Sequence, residues 1–393
     1  MPKSKLWTKN FILTDLANFF MALNFYLLMV TIAAFSMDHF NASPSAAGLA
    51  ASIFIIGSLA SRLFAGKYLE QIGRKRALMI GLTLSLIMSV LYFSANSMFL
   101  LYIIRFLHGA GFGFTSTAGG AIAAHYIPEE RFGEGIAYYM LSITMATAVG
   151  PFLGIILLTH GDFNLLLICN ALFAALSLLT ASFLTNSESV YNQDQLEETR
   201  GLKLSNFIAL SAAPISLFCS LLYICYSSLM SFIASYGREI QLIEATGFFF
   251  LLYSIAILAS RPFVGRVVDK RGENYTMYPA IVIYTAGMFL LSRAHHSVII
   301  LLAGALIGLG FGAVQSTGQT VALKMVPSHR RGLGTSTFMT FCDFGTGAGP
   351  YLFGLIISGV GYRPMYLGIS VFILLSSVLY YLMHGRRSRQ YLS

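Results

Sequence analysis

The sequence predicts an all-α membrane protein of twelve transmembrane helices in two six-helix, pseudo-symmetric bundles, and three observations carry that prediction. Hydrophobic residues fill 56 % of the 393 positions, charged residues only 10 %, and the mean hydropathy is +0.72, well outside soluble averages. Apolar stretches long enough to cross ~30 Å of hydrocarbon recur along the whole chain. The third observation is a repeat: Arg62-Leu-Phe-Ala-Gly66-Lys-Tyr-Leu-Glu70-Gln-Ile-Gly73 returns 199 positions later as Arg261-Pro-Phe-Val-Gly265-Arg-Val-Val-Asp269-Lys-Arg-Gly272. At the same offset Gly109, Gly111, Phe112 and Gly113 return as Gly308, Gly310, Phe311 and Gly312, and Gly150-Pro151 returns as Gly349-Pro350. A membrane chain built twice over is expected to hold a substrate site at the seam of its halves.

Taken in order, the first apolar segment, 11–36, follows Lys3, Lys5 and Lys9 and holds Asp15, Asn18 and Asn24. It is far longer than the roughly 7–15-residue core of a cleavable signal, and no small-residue cleavage site follows. Segment two, 45–66, runs into the basic cluster Lys67, Arg74, Lys75 and Arg76; segment three spans 76–95. Segment four, 98–124, carries Arg105 and His108. Segment five, 133–158, opens on Glu134 and contains Gly150-Pro151, and segment six spans 163–185. The polar stretch 186–206 separates a bundle at 1–185 from one at 207–393 and reads as a flexible cytoplasmic linker. Segments seven to twelve, 207–235, 244–265, 276–293, 297–323, 332–358 and 362–384, repeat the pattern, with Asp343 and Gly349-Pro350 in the eleventh. Glycines every few residues suit close packing between membrane helices.

Charge sets the expected orientation. Most of the 25 Lys and Arg lie in the two termini and the even-numbered loops, so both termini are expected in the cytoplasm, in an inner (cell) membrane. The net charge of +9 is then a topology signal. Spread thinly over short loops, it does not form a nucleic-acid surface. Cys169, Cys219, Cys225 and Cys342 fall inside helices without metal-ligand spacing, so neither a metal nor a disulfide is expected. No phosphate-cradling P-loop occurs, which excludes ATP hydrolysis by that route, and nothing in the residues calls for a cofactor. No nucleophile–base pair or metal cluster points to an enzyme.

Gly66-x-x-x-Glu70-x-x-Gly73-Arg74-Lys75-Arg76 resembles the loop signature of the major facilitator superfamily, with Glu70 where that signature usually has Asp. Arg105-x-x-x-Gly109-x-Gly111-x-Gly113 is similar to a signature of proton-coupled members, and Gly150-Pro151-x-x-Gly154 resembles the antiporter motif of drug/proton exporters. The resemblance covers essentially the whole chain. It implies that helices one, four, seven and ten line a cavity, which makes Asn18, Asn24, Tyr223, Tyr226, Gln315 and Gln319 the candidate substrate contacts. It also implies that Arg105 responds to protonation. The superfamily is itself a standard example of parallel repeats.

The residues add physical roles. Glu70 can accept hydrogen bonds from a neighbouring helix N-terminus, where the dipole is positive, and Arg74 can close a small charge network with it. Gly66, Glu70, Gly73 and Arg74, with Gly265 and Asp269 in the second copy, are therefore the expected gate latches. Proline removes a backbone donor and kinks a helix, so Gly150, Pro151, Gly349 and Pro350 are the expected hinges. Arg62 and Arg261 read as interfacial anchors. Asp343, near the bilayer midplane, is the strongest proton-coupling candidate, with Arg105: a charged Asp there costs roughly 2.5–3.5 kcal/mol and is functional by default. The expected function is export of a small organic molecule, drug or metabolite, by proton antiport with alternating access. The expected partners are substrate, protons and the bilayer, and the chain is expected to act as a monomer. A proton-coupled importer of a sugar or carboxylate, or a dedicated exporter of one metabolite or metallophore, fits the same residues.

Overall fold

A backbone in hydrocarbon must satisfy every N–H and C=O internally, which leaves helices as the solution for a chain of this composition. The computed structural model describes residues 6–128, 132–160, 163–185, 208–326 and 331–386. Within them run twelve α-helices and no strand. They are α1 (Lys9–Phe40), α2 (Pro44–Ile72), α3 (Arg74–Leu91), α4 (Met98–Tyr126), α5 (Phe132–His160), α6 (Phe163–Ser182), α7 (Ala213–Glu239), α8 (Ile243–Arg271), α9 (Asn274–Ser292), α10 (Ser297–Lys324), α11 (Arg331–Val360) and α12 (Tyr362–Tyr380). Among the described residues, eleven helices are long and apolar enough to cross a membrane. The remaining one is α11, whose 30 residues are diluted by glycine, threonine and Asp343. The stretch 186–206 lies outside the described residues.

Several helices outrun their apolar segments. α2 continues to Ile72 and α8 to Arg271, because the hydrogen-bond ladder persists into the polar interface. The chain turns only at Gly73 (φ 91°) and Gly272 (φ 90°), positions one repeat apart, where glycine takes a positive φ without a Cβ clash. Thr8 caps α1, its hydroxyl accepting from the Phe11 N–H at 3.2 Å. Ser97 does the same for α4 through the Leu100 N–H at 3.4 Å.

The chain divides into two compact units, residues 1–42 with 53–200, and residues 43–52 with 201–393. The second therefore takes in the first turns of α2, where Ser52 Oγ accepts from the Tyr351 N–H at 3.1 Å. In the first unit α1 packs on α5 and α6, and α3 on α4; in the second α7 packs on α11, and α10 on α8 and α9.

Glycines make these crossings possible, and the repeat reappears in them. A Cβ on Gly109 of α4 would lie 1.9 Å from the Phe54 carbonyl oxygen of α2, and one on Gly308 of α10 would lie 2.3 Å from that of Tyr253 on α8. Gly111 faces Gly81 and Ser85 of α3, while Gly310 faces Ala280 and Tyr284 of α9. Each pair is the other shifted by one repeat. Gly150 and Gly154 bring α5 against Tyr26 and Leu27 of α1, and Gly349 brings α11 against Ile224 and Ser227 of α7. Pro151 and Pro350 sit inside the continuous helices α5 and α11.

A buried polar network ties α1, α3 and α6 together. Asn24 Nδ2 donates to Asn170 Oδ1 at 2.8 Å, to the Asn170 carbonyl at 2.9 Å and to Ser89 Oγ at 3.1 Å; Asn170 Nδ2 also reaches Ser89 Oγ, at 3.2 Å. Removing one partner strands buried polar atoms, at about 1–3 kcal/mol. Asn24→Ala and Asn170→Ala are thus expected to lower the thermal unfolding temperature in detergent by similar amounts.

Candidate functional site

Each unit places charged and polar side chains inside its own helix packing. In the first, Arg105 of α4 is fully buried, its guanidinium 4.5 Å from the Phe54 ring centroid, with Nη1 donating to the Tyr92 hydroxyl at 3.5 Å. His108 Nδ1 lies 3.1 Å from the same hydroxyl. Arginine has only hydrogens to give, so Tyr92 accepts from Arg105 and has its own hydrogen free for His108. Arg105 does not reach outward to the headgroups: the aromatic face and the phenol hold it inside, where a weakly hydrated guanidinium is well suited to sit.

Further along the unit Asn18 Nδ2 donates to Ser142 Oγ at 3.0 Å. Asn18 lines a small cavity with Thr14, Met21, Leu78 and Thr115. Asn24, expected beside it, instead engages its amide in the α3–α6 network. The two asparagines are six positions apart, about 240° around a helix, and face different neighbours.

In the second unit Asp343 stands half-buried on α11. Its charge reaches the neighbouring Cys342 thiol, which lies near Tyr223 of α7. Tyr223 and Tyr226 are largely buried around Phe311 of α10. The Tyr226 ring stacks on Phe311 at 4.3 Å and 11°, and the Tyr223 ring meets it edge-on at 4.8 Å. Tyr253 extends the stack, 5.6 Å from Tyr226. Arg261, expected as an interfacial anchor, lies within the electrostatic reach of Tyr253 and Tyr223. Gln315 and Gln319 stand one turn apart on α10, both partly exposed.

The expected latches divide. The side chains of Glu70 and Asp269 and the surroundings of Gly66 lie outside the described residues. Gly73 forms the turn, and an added methyl at Gly265 would meet nothing within 4 Å. Beside Arg74, Lys75 provides a contact that sequence spacing did not reveal: its Nζ donates to the Ser182 carbonyl at 3.4 Å and to that of Leu184, at the end of α6. One repeat later Asn274 does the same for α12, donating to the Gly385 carbonyl at 2.9 Å while accepting from the Tyr380 hydroxyl at 2.8 Å. In both halves the second residue after the turn glycine donates to carbonyls at the end of the unit's last helix, where carbonyls lack intrahelical partners.

The second copy adds a pair of its own. Glu273, at the N-cap of α9, lies 3.1 Å from His384 Nε2, both buried. The hydrogen bond from His384, with the nearby charge of Lys324, holds the Glu273 carboxyl below its ordinary 4.5 against the opposing effect of burial. A carboxyl depressed in the folded state stabilises above its unfolded value and loses that contribution as pH falls through the folded value. The gap in unfolding temperature between wild type and Glu273→Gln is therefore expected to be full at neutral pH and to narrow below about pH 4.5.

The family model described as Major Facilitator Superfamily matches residues 14–350 and 243–391. An MFS-type transporter of Methanocaldococcus jannaschii is 24 % identical over 85 % of this chain and 88 % of its own. Multidrug resistance protein 1 of Bacillus subtilis is 25 % identical over 88 % and 90 %, and the multi-drug resistance efflux pump PmrA of Streptococcus pneumoniae is 23 % identical over 84 % of each. Among solved structures, a bacterial homologue of the human lysosomal transporter Spinster superposes with a TM-score of 0.80 at 13 % identity, covering 97 % of both chains. The nucleoside transporter NupG superposes with 0.75 at 12 %, over 96 % of this chain and 99 % of its own. These structures share the fold. With twelve helices, the repeat and a family match running almost end to end, the chain belongs to the Major Facilitator Superfamily and is a multi-pass membrane transporter.

Proposed function

We propose that this transporter exports a small organic molecule, drug or metabolite, across the inner membrane by proton antiport with alternating access. One observation carries the reading most: Asp343 is an acidic residue half-buried within the membrane-length helix α11, where its charge reaches the adjacent Cys342. Hydrocarbon penalises the charged form of an acid at such depth, so it alternates between a neutral and a charged state as its surroundings change. In the cycle, Asp343 loads a proton from outside as substrate leaves, the units move, and the proton is released inside as new substrate enters. A charge crossing 100 mV supplies about 2.3 kcal/mol, enough for a substrate ratio of about 50. Arg105 senses the protonation state, the Gly-Pro positions Gly150-Pro151 and Gly349-Pro350 act as hinges, and Glu70, Arg74 and Asp269 as latches. Asn18, Gln315 and Gln319 are the polar contacts offered to substrate. The efflux relatives at 23–25 % identity support the outward direction.

The test is proton movement in everted vesicles, followed with a pH-sensitive dye while lipophilic cations, sugars and chelators are added in turn. Proton release on addition of one class supports antiport and names that class. Proton uptake with substrate in the opposite sense overturns it in favour of import.

A further inference from the structure

Spacing on two helices builds a small polar cavity inside the first unit. Thr14, Asn18 and Met21 stand four and then three positions apart on α1, and Thr115 and Gly119 stand four apart on α4, which sets each group on one helix face. With Leu78 of α3 they line a cavity of about 10 Å³, at the lower end of the roughly 10–15 Å³ that one water requires. Every one of these residues is buried. The space is too small for an organic molecule.

The polar atoms around it divide by what they still have to give. Thr115 Oγ1 is sealed from solvent and has no hydrogen-bond partner among the described residues, an unfavourable state for a buried hydroxyl. Across the cavity, Ser142 of α5 gives its hydrogen to the Tyr139 carbonyl at 2.8 Å, so it accepts from Asn18 Nδ2 at 3.0 Å. That fixes the direction of the Asn18 amide. Its Oδ1 is left to accept, and a second amide hydrogen remains for the substrate contact proposed above. Thr14 gives its hydrogen to the Asn10 carbonyl at 2.8 Å, which leaves lone pairs on its Oγ1. The α4 wall therefore has a hydrogen to donate, and the α1 wall has lone pairs to receive.

We propose that this cavity is the site of one ordered water, which accepts from Thr115 Oγ1 and donates to Asn18 Oδ1 and Thr14 Oγ1. Its two hydrogens and one of its lone pairs are then matched, within the two to four bonds usual for a buried water. Three uncharged oxygens are too few for a hard divalent cation, which takes about six or more. The water joins α4 to α1, and through Asn18 and Ser142 to α5, so that a single hydrogen-bonded line crosses three helices of the first unit.

Radiolytic labelling of the purified full chain in lipid tests the site. A bound water struck by X-rays releases a hydroxyl radical where it sits, and the sulfur of Met21 on the cavity wall is readily oxidised. Met21 is expected to be oxidised several-fold faster than Met88, an equally buried methionine of α3 away from the cavity. That excess is expected to vanish in Thr115→Val, which removes the donor. It is also expected to vanish in Gly119→Ala, whose methyl would enter beside Leu78 with its nearest neighbour, the Tyr139 hydroxyl, at 3.3 Å. Unfolding temperature supplies an independent sign. Thr115→Val is expected to lower it when the hydroxyl holds a water, and to raise it when the hydroxyl is simply unsatisfied. Equal oxidation of Met21 and Met88 in wild type, an excess that survives both substitutions, or an unfolding temperature not lowered in Thr115→Val overturns the site. No transport is measured, so failure here leaves the antiport reading untouched, and an importer with this labelling pattern overturns antiport alone.

Discussion

Asp343→Asn is expected to abolish substrate-driven proton release in everted vesicles while leaving substrate exchange across the membrane intact. Asparagine keeps the size and much of the hydrogen bonding of aspartate but cannot gain or lose a proton. A variant of this kind separates two jobs: moving substrate through alternating states, and tying that movement to a proton. Asparagine matches aspartate in shape at this half-buried position of α11, so the neutral amide should be tolerated by the fold. The measurement pairs dye-reported proton flux with isotope exchange at equal substrate on both sides. Loss of proton flux with exchange retained is the expected split. Loss of both with unchanged unfolding temperature assigns Asp343 to substrate binding, and retention of both assigns it to packing.

The second large effect is on the fold. Gly109→Val and Gly308→Val are each expected to lower stability by about 3 kcal/mol or more, measured by thermal unfolding in detergent. The new Cβ would stand 1.9 Å and 2.3 Å from backbone carbonyl oxygens of Phe54 and Tyr253. Backbone of a packed helix cannot step aside as a flexible side chain does, so α2 and α4, or α8 and α10, must separate. Gly120→Ala, with nothing within 4 Å of the added methyl, is the control and should change little. Comparable losses at Gly109 and Gly308 would show that the repeat is an energetic symmetry as well as a sequence one.

Much of this architecture was legible because membrane helices announce themselves by apolar length, and the count of about twelve followed from it. The glycines of α4 and α10 were legible as a motif, although only coordinates reveal that alternate glycines serve α2 and α3, or α8 and α9. Polar residues were harder to read. Asn18 and Asn24 look alike in sequence, yet one lines a cavity and the other bonds to Asn170, which is 146 positions away. Nothing local distinguishes them. That Phe54 and Tyr92 enclose Arg105 was not legible either, since both contacts come from other turns of the chain. The Glu273–His384 pair, 111 positions apart, was illegible for the same reason, and so were the helix-end clamps of Lys75 and Asn274.

The central claim is that substrate movement is tied to protons moving the other way. Its most direct test is wild-type protein in sealed proteoliposomes, with substrate uptake followed under an imposed pH gradient of either sign and at none. Antiport predicts accumulation above equilibrium only when the lumen is acidic, and collapse on adding a protonophore. Accumulation driven by an acidic exterior, or uptake indifferent to the gradient, would contradict it.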